Sequence, residues 1–370
     1  MGNKYSYITG HVAPENRNPV FHWTDIMLQT VRDQAVNPPK ATRAFAMGHL
    51  AGFLAVNGIY DQYDQNFISL GSGPSDANAE VAYGVACADA LADGFQSILT
   101  FDRLAFLDKY PDGPGKTRAI QWGHTVGDAV IKMRARDGAE PSKSDYYLDR
   151  FDRRGDELQW TPTGPFYGAL EGPGFNHFAR GLLPGWGAQK PWVMENTKNF
   201  RAPPFPDAGS DEFARQYHKI RLLGGTDSII RTEEETQIAF FWEDGPRGIT
   251  PPGHWQLLAM QLLQDMDYSF YDLTRIFAMI SLTQADAAIT SWDSKFYYDI
   301  LRPETAIRAR LPQFENTSPF AVQDPNWRSL IPTPPFPTYT SGHSTFSSGS
   351  ARMLANVIGR DDITFSGSSP

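Results

Sequence analysis

The chain is almost without cysteine: Cys87 is the only one in 370 residues. A lone thiol excludes an internal disulfide framework, a CxxC redox pair and a cysteine-rich zinc site. Basic charge is also scarce, with 33 Lys and Arg against 42 Asp and Glu and a net charge of −9. Binding a phosphate backbone draws on clustered cations and the counterions they release, so the balance argues against nucleic acid as a partner. No uncharged apolar run reaches about 18 residues, the length a membrane helix needs, and Met1-Gly2-Asn3-Lys4-Tyr5-Ser6 opens no apolar leader. The sequence therefore predicts a soluble chain with no transmembrane segment and no export signal, cytoplasmic by default. HExxH, a paired His-Asp cluster and an Asp-rich loop are all missing. Asp265 and Asp267, two residues apart, fall on different faces of a helix.

What is abundant is glycine and proline, 32 and 28 residues, and their placement divides the chain. From about residue 20 to 136 the pattern is helical, with runs predicted at Trp23–Val36, Ala41–Ile59, Ala77–Thr100 and Thr117–Arg136. In the second run Phe45, Met47, Leu50, Phe53, Leu54 and Val56 form a wide apolar stripe of period near 3.6, and Pro38-Pro39 suits the first turn before it. Residues 151–209 are broken by Gly164-Pro165, Gly172-Pro173-Gly174, Pro184-Gly185 and Pro203-Pro204-Phe205-Pro206, which no regular helix or strand survives. Trp160, Phe166, Phe175, Trp186 and Trp192 interleave with these breakers, which predicts an ordered coil packed on helices rather than a linker. Helical pattern resumes at Asp211–Leu223, Glu233–Trp242, His254–Asp265 and Tyr268–Trp292. Nothing alternates as a strand does. The expected architecture is mainly α: an N-terminal bundle over 1–150, a connecting layer over 151–209 and a C-terminal bundle over 210–370.

Two segments near the C-terminus carry chemistry. Lys295 and Arg302 stand seven residues apart, which on a continuous helix returns to within about 20° of the same face, roughly 10 Å along the axis. Pro303 disfavours helix at Arg302 and places it at or near the helix end. Further on, Pro334-Pro335-Phe336-Pro337 leads through Thr338-Tyr339-Thr340 to Ser341-Gly342-His343, at the start of a helix predicted to run from Ser344 to Ile358 and to end at Gly359. Unpaired N–H groups and the positive end of the helix dipole suit such a place to an oxyanion. Ser341 brings a hydroxyl, Gly342 an approachable N–H, and His343 a group that titrates near neutrality. A solvated basic face and a plain helix cap with an exposed imidazole remain the simpler alternatives. Ser341 and His343 lie too close along the chain for the usual nucleophile–base geometry of a serine hydrolase.

Together these segments resemble the vanadium-dependent haloperoxidases and the related acid phosphatases, whose signature joins Lys, six residues, Arg-Pro and then Ser-Gly-His. Here they are Lys295, Arg302-Pro303 and Ser341-Gly342-His343. Trp23, Pro38-Pro39, Arg43, Leu183-Pro184-Gly185-Trp186-Gly187, Phe240–Glu243, Pro251–Trp255 and Asp286–Ile289 extend the likeness to the bacterial haloperoxidase-type members, over roughly residues 20–358. The resemblance implies paired helical bundles and a vanadate held by Lys295, Arg302, Ser341 and the Gly342 N–H, with His343 as the acid–base residue. Halide and hydrogen peroxide would be the substrates, and phosphate or vanadate the anion ligand. Trp292 and Phe336 match aromatic positions that line the halide site in chlorinating relatives, although core packing alone also accounts for two aromatics.

The resemblance also carries an expectation of incompleteness. The signature's third part, Ser-Arg, five residues and His, supplies the vanadium-bonding histidine. His343 is the last histidine here, and Asp361–Pro370 holds neither Arg nor His. The expectation is a member truncated before that segment, with an incomplete second bundle, weak or absent vanadate and little turnover. Three functions stay open at this point: a peroxide-dependent halide oxidase, a phosphomonoesterase using the same pocket, and a non-catalytic scaffold. A homo-oligomer is also left open.

Overall fold

The computed structural model describes residues 17–64, 67–95, 99–140, 158–161, 181–245, 248–308 and 318–369. Prolines and capping side chains set where its helices begin. Asn18 and Asn37 accept from the Val20 and Lys40 N–H groups, while Pro19, Pro38 and Pro39 fill first turns where no N–H is needed. From these starts run α1 (Pro19–Asp33) and α2 (Pro38–Tyr60). The stretch expected as one helix over Ala77–Thr100 is two, α3 (Ala79–Phe95) and α4 (Thr100–Leu107). α5 (Pro114–Arg134) starts three residues before the expected Thr117, because Pro114 occupies its first turn.

Six further α-helices follow among the described residues: α6 (Asp211–Leu223), α7 (Glu233–Phe241), α8 (Thr250–Leu263), α9 (Phe270–Tyr298), α10 (Pro303–Arg308) and α11 (Gly342–Ile358). The described residues form no strand, only isolated bridges at Gln159–Ile300 and Gly225–Ser329, so the protein is mainly α as the sequence predicts. The Ser269–Asp272 capping box starts α9, which runs 29 residues and stops where Asp299 turns left-handed. α11 ends at Gly359, whose φ of 84° is one a side chain resists.

Among the described residues two large contiguous clusters hold most of the apolar core, and α9 belongs to both. Ile276, Phe277 and Ile280 pack with α1, α2 and α8 residues such as Trp23, Phe45 and Leu257. Farther along, Leu282, Ala285, Ile289 and Trp292 pack with α2, α3 and α5 residues and with Trp186, Trp192 and Phe346. Gly52 makes the close approach of α2 to α3 possible, since a Cβ there would lie 2.3 Å from the Tyr83 ring. In the Pro/Gly-rich stretch Trp160, Trp186 and Trp192 are buried, and Phe166 and Phe175 fall outside the described residues. The Asp286 carboxylate accepts the N–H groups of Trp192, Val193 and Met194. Gly187 lies so close that a Cβ would meet the Asp293 backbone at 2.4 Å. These contacts fasten the coil to α9 just ahead of Lys295. No helix among the described residues is long and apolar enough to cross a membrane.

Candidate active site

Lys295 occupies the last turn of α9 and is 1% exposed. A buried ammonium must spend its three donors. Those of Lys295 go to backbone carbonyls of the arm before α11: Pro337 at 2.9 Å, Thr338 at 3.4 Å, and Thr340. None of these partners is a carboxylate. Burial, and after it the nearby Arg302 charge, push the Lys295 ammonium well below its ordinary value.

α9 ends at Tyr298, so Lys295 and Arg302 do not share a helix face as their spacing predicts. The chain turns at Asp299, and Arg302 lies beyond the helix, one residue before α10. The two cations nevertheless converge. Arg302 Nε donates to the Phe336 carbonyl at 2.6 Å, and the Phe336 ring lies 4.7 Å from Lys295 Nζ and 4.7 Å from Arg302 Cζ. Trp292 packs on Phe336 with ring centroids 5.2 Å apart and donates its indole N–H to the Leu182 carbonyl. The Leu182 N–H bonds the Pro335 carbonyl and the Thr338 N–H bonds Ile300. The Pro-rich arm is therefore held along its length, and the cations are part of what holds it.

The arm delivers Ser341 as the N-cap of α11, its Oγ accepting from the Ser344 N–H at 3.2 Å. The helix starts two residues earlier than the sequence suggests, at Gly342. A Cβ on Gly342 would sit 3.6 Å from Trp292 and 3.9 Å from Lys295 Cε, so the helix start lies directly beside the buried ammonium. First-turn N–H groups have no intrahelical acceptor, and Ser341 at the rim is exposed to solvent. The structure thus brings together Lys295, Arg302, Ser341, Gly342, Trp292 and Phe336. A direct hydrogen bond from Lys295 to an anion, which the resemblance implies, is not what its geometry offers: with all three donors on carbonyls, Lys295 acts here through its charge.

The imidazole of His343 is turned toward the segment after α7. Its Nε2 lies 3.1 Å from the Glu243 carbonyl, and because a carbonyl only accepts, Nε2 carries the proton and Nδ1 the lone pair. The side chain of the next residue, Asp244, is buried, and either carboxylate oxygen is 3.1 Å from His254 Nδ1. Composition and motif spacing do not reveal this Asp244–His254 pair. The sequence places His254 in the first turn of a helix, whereas α8 begins at Thr250 and carries His254 fully buried one turn in. The signal available was the pair of stretches Phe240–Glu243, which ends next to Asp244, and Pro251–Trp255, which contains His254. The Arg201–Asp293 pair, with contacts of 2.7 and 3.0 Å beside Lys295, is likewise invisible to spacing because its members are 92 residues apart.

Comparison with known proteins points one way. Residues 275–370, which include the whole of this site, match the family model of the VCPO second helical-bundle domain. The vanadium chloroperoxidase of Curvularia inaequalis is 27% identical over 199 residues, which is 44% of this chain and 32% of that protein, so the chain matches about a third of its length. The fold is that of a bacterial vanadium-dependent iodoperoxidase, with a TM-score of 0.71 and 24% identity over 94% of this chain and 82% of that one. A holo-type bacterial vanadium-dependent chloroperoxidase superposes with a TM-score of 0.62 and 14% identity, over 97% and 79% of the two chains. The domain match, the curated relative and the shared fold agree in direction, and the proteins this chain is similar to are vanadium haloperoxidases.

Proposed function

We propose that the cluster of Lys295, Arg302 and the start of α11 is a vanadate site, and that it serves the hydrogen peroxide-dependent oxidation of halide. The observation that carries this reading is the Lys295 ammonium, buried beside a second cation and bonded only to carbonyls. Two fixed cations with helix-start donors suit a trianion. The donor set therefore fits vanadate: Arg302, the Ser341 hydroxyl and the Gly342 N–H would hold its oxygens while Lys295 supplies charge from below. Vanadate, when bound, supplies a Lewis-acidic centre on which peroxide becomes electrophilic toward halide.

The remaining roles belong to the chain's own residues. His343, with its proton on Nε2 and its lone pair on Nδ1, is the acid–base group that takes and returns the peroxide proton. Trp292 and Phe336 form the aromatic wall beside the two cations and keep bulk water from that side. The relatives are named for chloride and iodide, and the halide itself is the chemistry we carry over. The donors named here offer charge and hydrogen bonds alone, so the oxyanion affinity expected of residues 1–370 is millimolar, about −4 kcal/mol.

The test follows bromination and chlorination of an activated diketone with vanadate and peroxide, beside hydrolysis of an aryl phosphate without peroxide. It is run on residues 1–370 and on a chain extended by the Ser-Arg-x5-His segment. Halogenation that appears in the extended chain and falls in His343→Ala supports the reading. Phosphate hydrolysis without halogenation replaces it with the phosphatase.

A further inference from the structure

We propose that the buried Asp244–His254 pair is a positioning unit for His343, fixing the loop whose Glu243 carbonyl holds the His343 proton on Nε2. The inference rests on the role given to His343 above and names the residues that set its tautomer.

The loop needs holding. Asp244 sits at a φ of 46°, in the left-handed region that non-glycine residues seldom adopt, and its carboxylate is almost wholly buried. The imidazole of His254 supplies the hold, since Nδ1 donates to the carboxylate with both oxygens at 3.1 Å. His254 is itself fixed: it is fully buried, with the Phe241 and Trp242 rings at 4.9 and 5.0 Å. Its other nitrogen, Nε2, is buried without a hydrogen-bond partner among the described residues. A histidine that leaves one nitrogen unsatisfied in an aromatic pocket is kept there for the bond made by the other.

The hold is transmitted to the helix that carries His343. Trp242 stacks on Trp255 with ring centroids 5.8 Å apart, and the Trp255 indole N–H donates to Ser347 Oγ at 2.8 Å. His343 and Ser347 are four residues apart on α11 and share one face. The segment from Phe241 to Trp255 therefore grips the first two turns of α11 at two points, the Ser347 hydroxyl and the His343 imidazole. Only the second contact fixes a proton. A backbone carbonyl accepts whatever the side chain at 243, so the tautomer depends on where the loop lies, and the Asp244–His254 bond determines that.

The measurement is nitrogen NMR of 15N-histidine-labelled chain at about pH 8.5, two units above the ordinary value of a free imidazole. His343 is assigned by its absence in His343→Gln. Wild-type His343 should show two well-separated nitrogen resonances with the proton on Nε2. In His254→Phe, which keeps the aromatic packing and removes the donor, that separation should fall by at least half as the tautomers interconvert. Asp244→Ala should do the same, and it decides the matter if His254→Phe does not fold. His254→Asn, whose amide nitrogen mimics Nδ1, should restore the wild-type pattern. A single Nε2–H tautomer persisting in either folded disruptive variant, or absent from the wild type, overturns the proposal. Titration with inorganic phosphate separates this from the reading of the pocket: His343 resonances that ignore phosphate remove the oxyanion site and leave the tautomer result standing.

Discussion

Arg134 and Lys295 are buried to the same depth, 2% and 1% exposed, yet their surroundings differ in kind. Arg134 Nε donates at 2.8 Å to Asp137, which also takes Arg43 Nε at 2.9 Å, while the remaining Arg134 donors go to the Lys190 and Pro191 carbonyls. Arg17 likewise meets Asp25. In these places the fold has matched buried positive charge with a carboxylate. Lys295 has carbonyls on all three donors and a guanidinium nearby. A neutralised pair is a finished structural element. A buried ammonium bonded only to carbonyls is a different kind of element, one to which an anion from solvent would add a favourable charge interaction.

The largest expected effect breaks the finished side of this comparison. Asp137→Ala leaves the buried Arg134 charge without its counterion and should cost about 3–5 kcal/mol of stability, measured by urea unfolding. Lys295→Met should cost less, about 1–3 kcal/mol, because carbonyls are orphaned but no counter-charge is stranded. Its main consequence should be functional. Phosphate at tens of millimolar should raise the midpoint of thermal unfolding in the wild type and leave the variant unmoved. Equal phosphate stabilisation of both would place the anion elsewhere.

A third expectation concerns acid. Burial lowers His49 to about 3, and burial with help from Lys109 and Arg17 lowers His22 to about 3. Both are neutral in the fold and charge on unfolding, so the stability they contribute is complete above pH 6.5 and lost as pH falls toward 3. Asp25 runs the other way: burial raises it to about 7 against the opposing pull of Arg17, so its contribution is complete below the ordinary carboxylate value and lost as pH rises through 7. From pH 4 to 6.5 the two histidines outweigh the one aspartate by about one proton, a slope near 1.4 kcal/mol per pH unit. His49→Gln, which keeps a polar side chain toward Tyr83 without titrating, should largely flatten that slope in urea midpoints; an unchanged slope would assign acid sensitivity to other groups. The smallest effect is expected for Phe336→Leu. Loss of the ring under two cations should cost about 1 kcal/mol and leave phosphate affinity within a few-fold, as calorimetry can check.

The sequence made the helices legible where packing and propensity agree. Asp211–Leu223 is found where predicted, and the Gly359 stop holds because only a left-handed residue ends α11 there. The end of α3 at Phe95 was not legible, since the apolar pattern of the sequence continues past it. The site residues were legible as a set through their motif, but the geometry joining them was not. The spacing of Lys295 and Arg302 assumes a helix that ends four residues too early. What brings the two together is Phe336 and the arm carbonyls, and backbone acceptors leave no trace in side-chain identity. The Asp244–His254 pair escaped for a related reason, because it acts on His343 through a carbonyl of the residue between them in space.

The central claim is that Lys295 and Arg302 form an anion site rather than a structural clamp alone. Isothermal titration of phosphate and of vanadate into the wild-type chain, Lys295→Met and Arg302→Ala, each confirmed folded by near-ultraviolet circular dichroism, tests it directly. The account predicts saturable wild-type binding in the millimolar range, about −4 kcal/mol, and its loss in both variants. Absence of saturable binding in the wild type, or binding that survives unchanged in both variants, would contradict it.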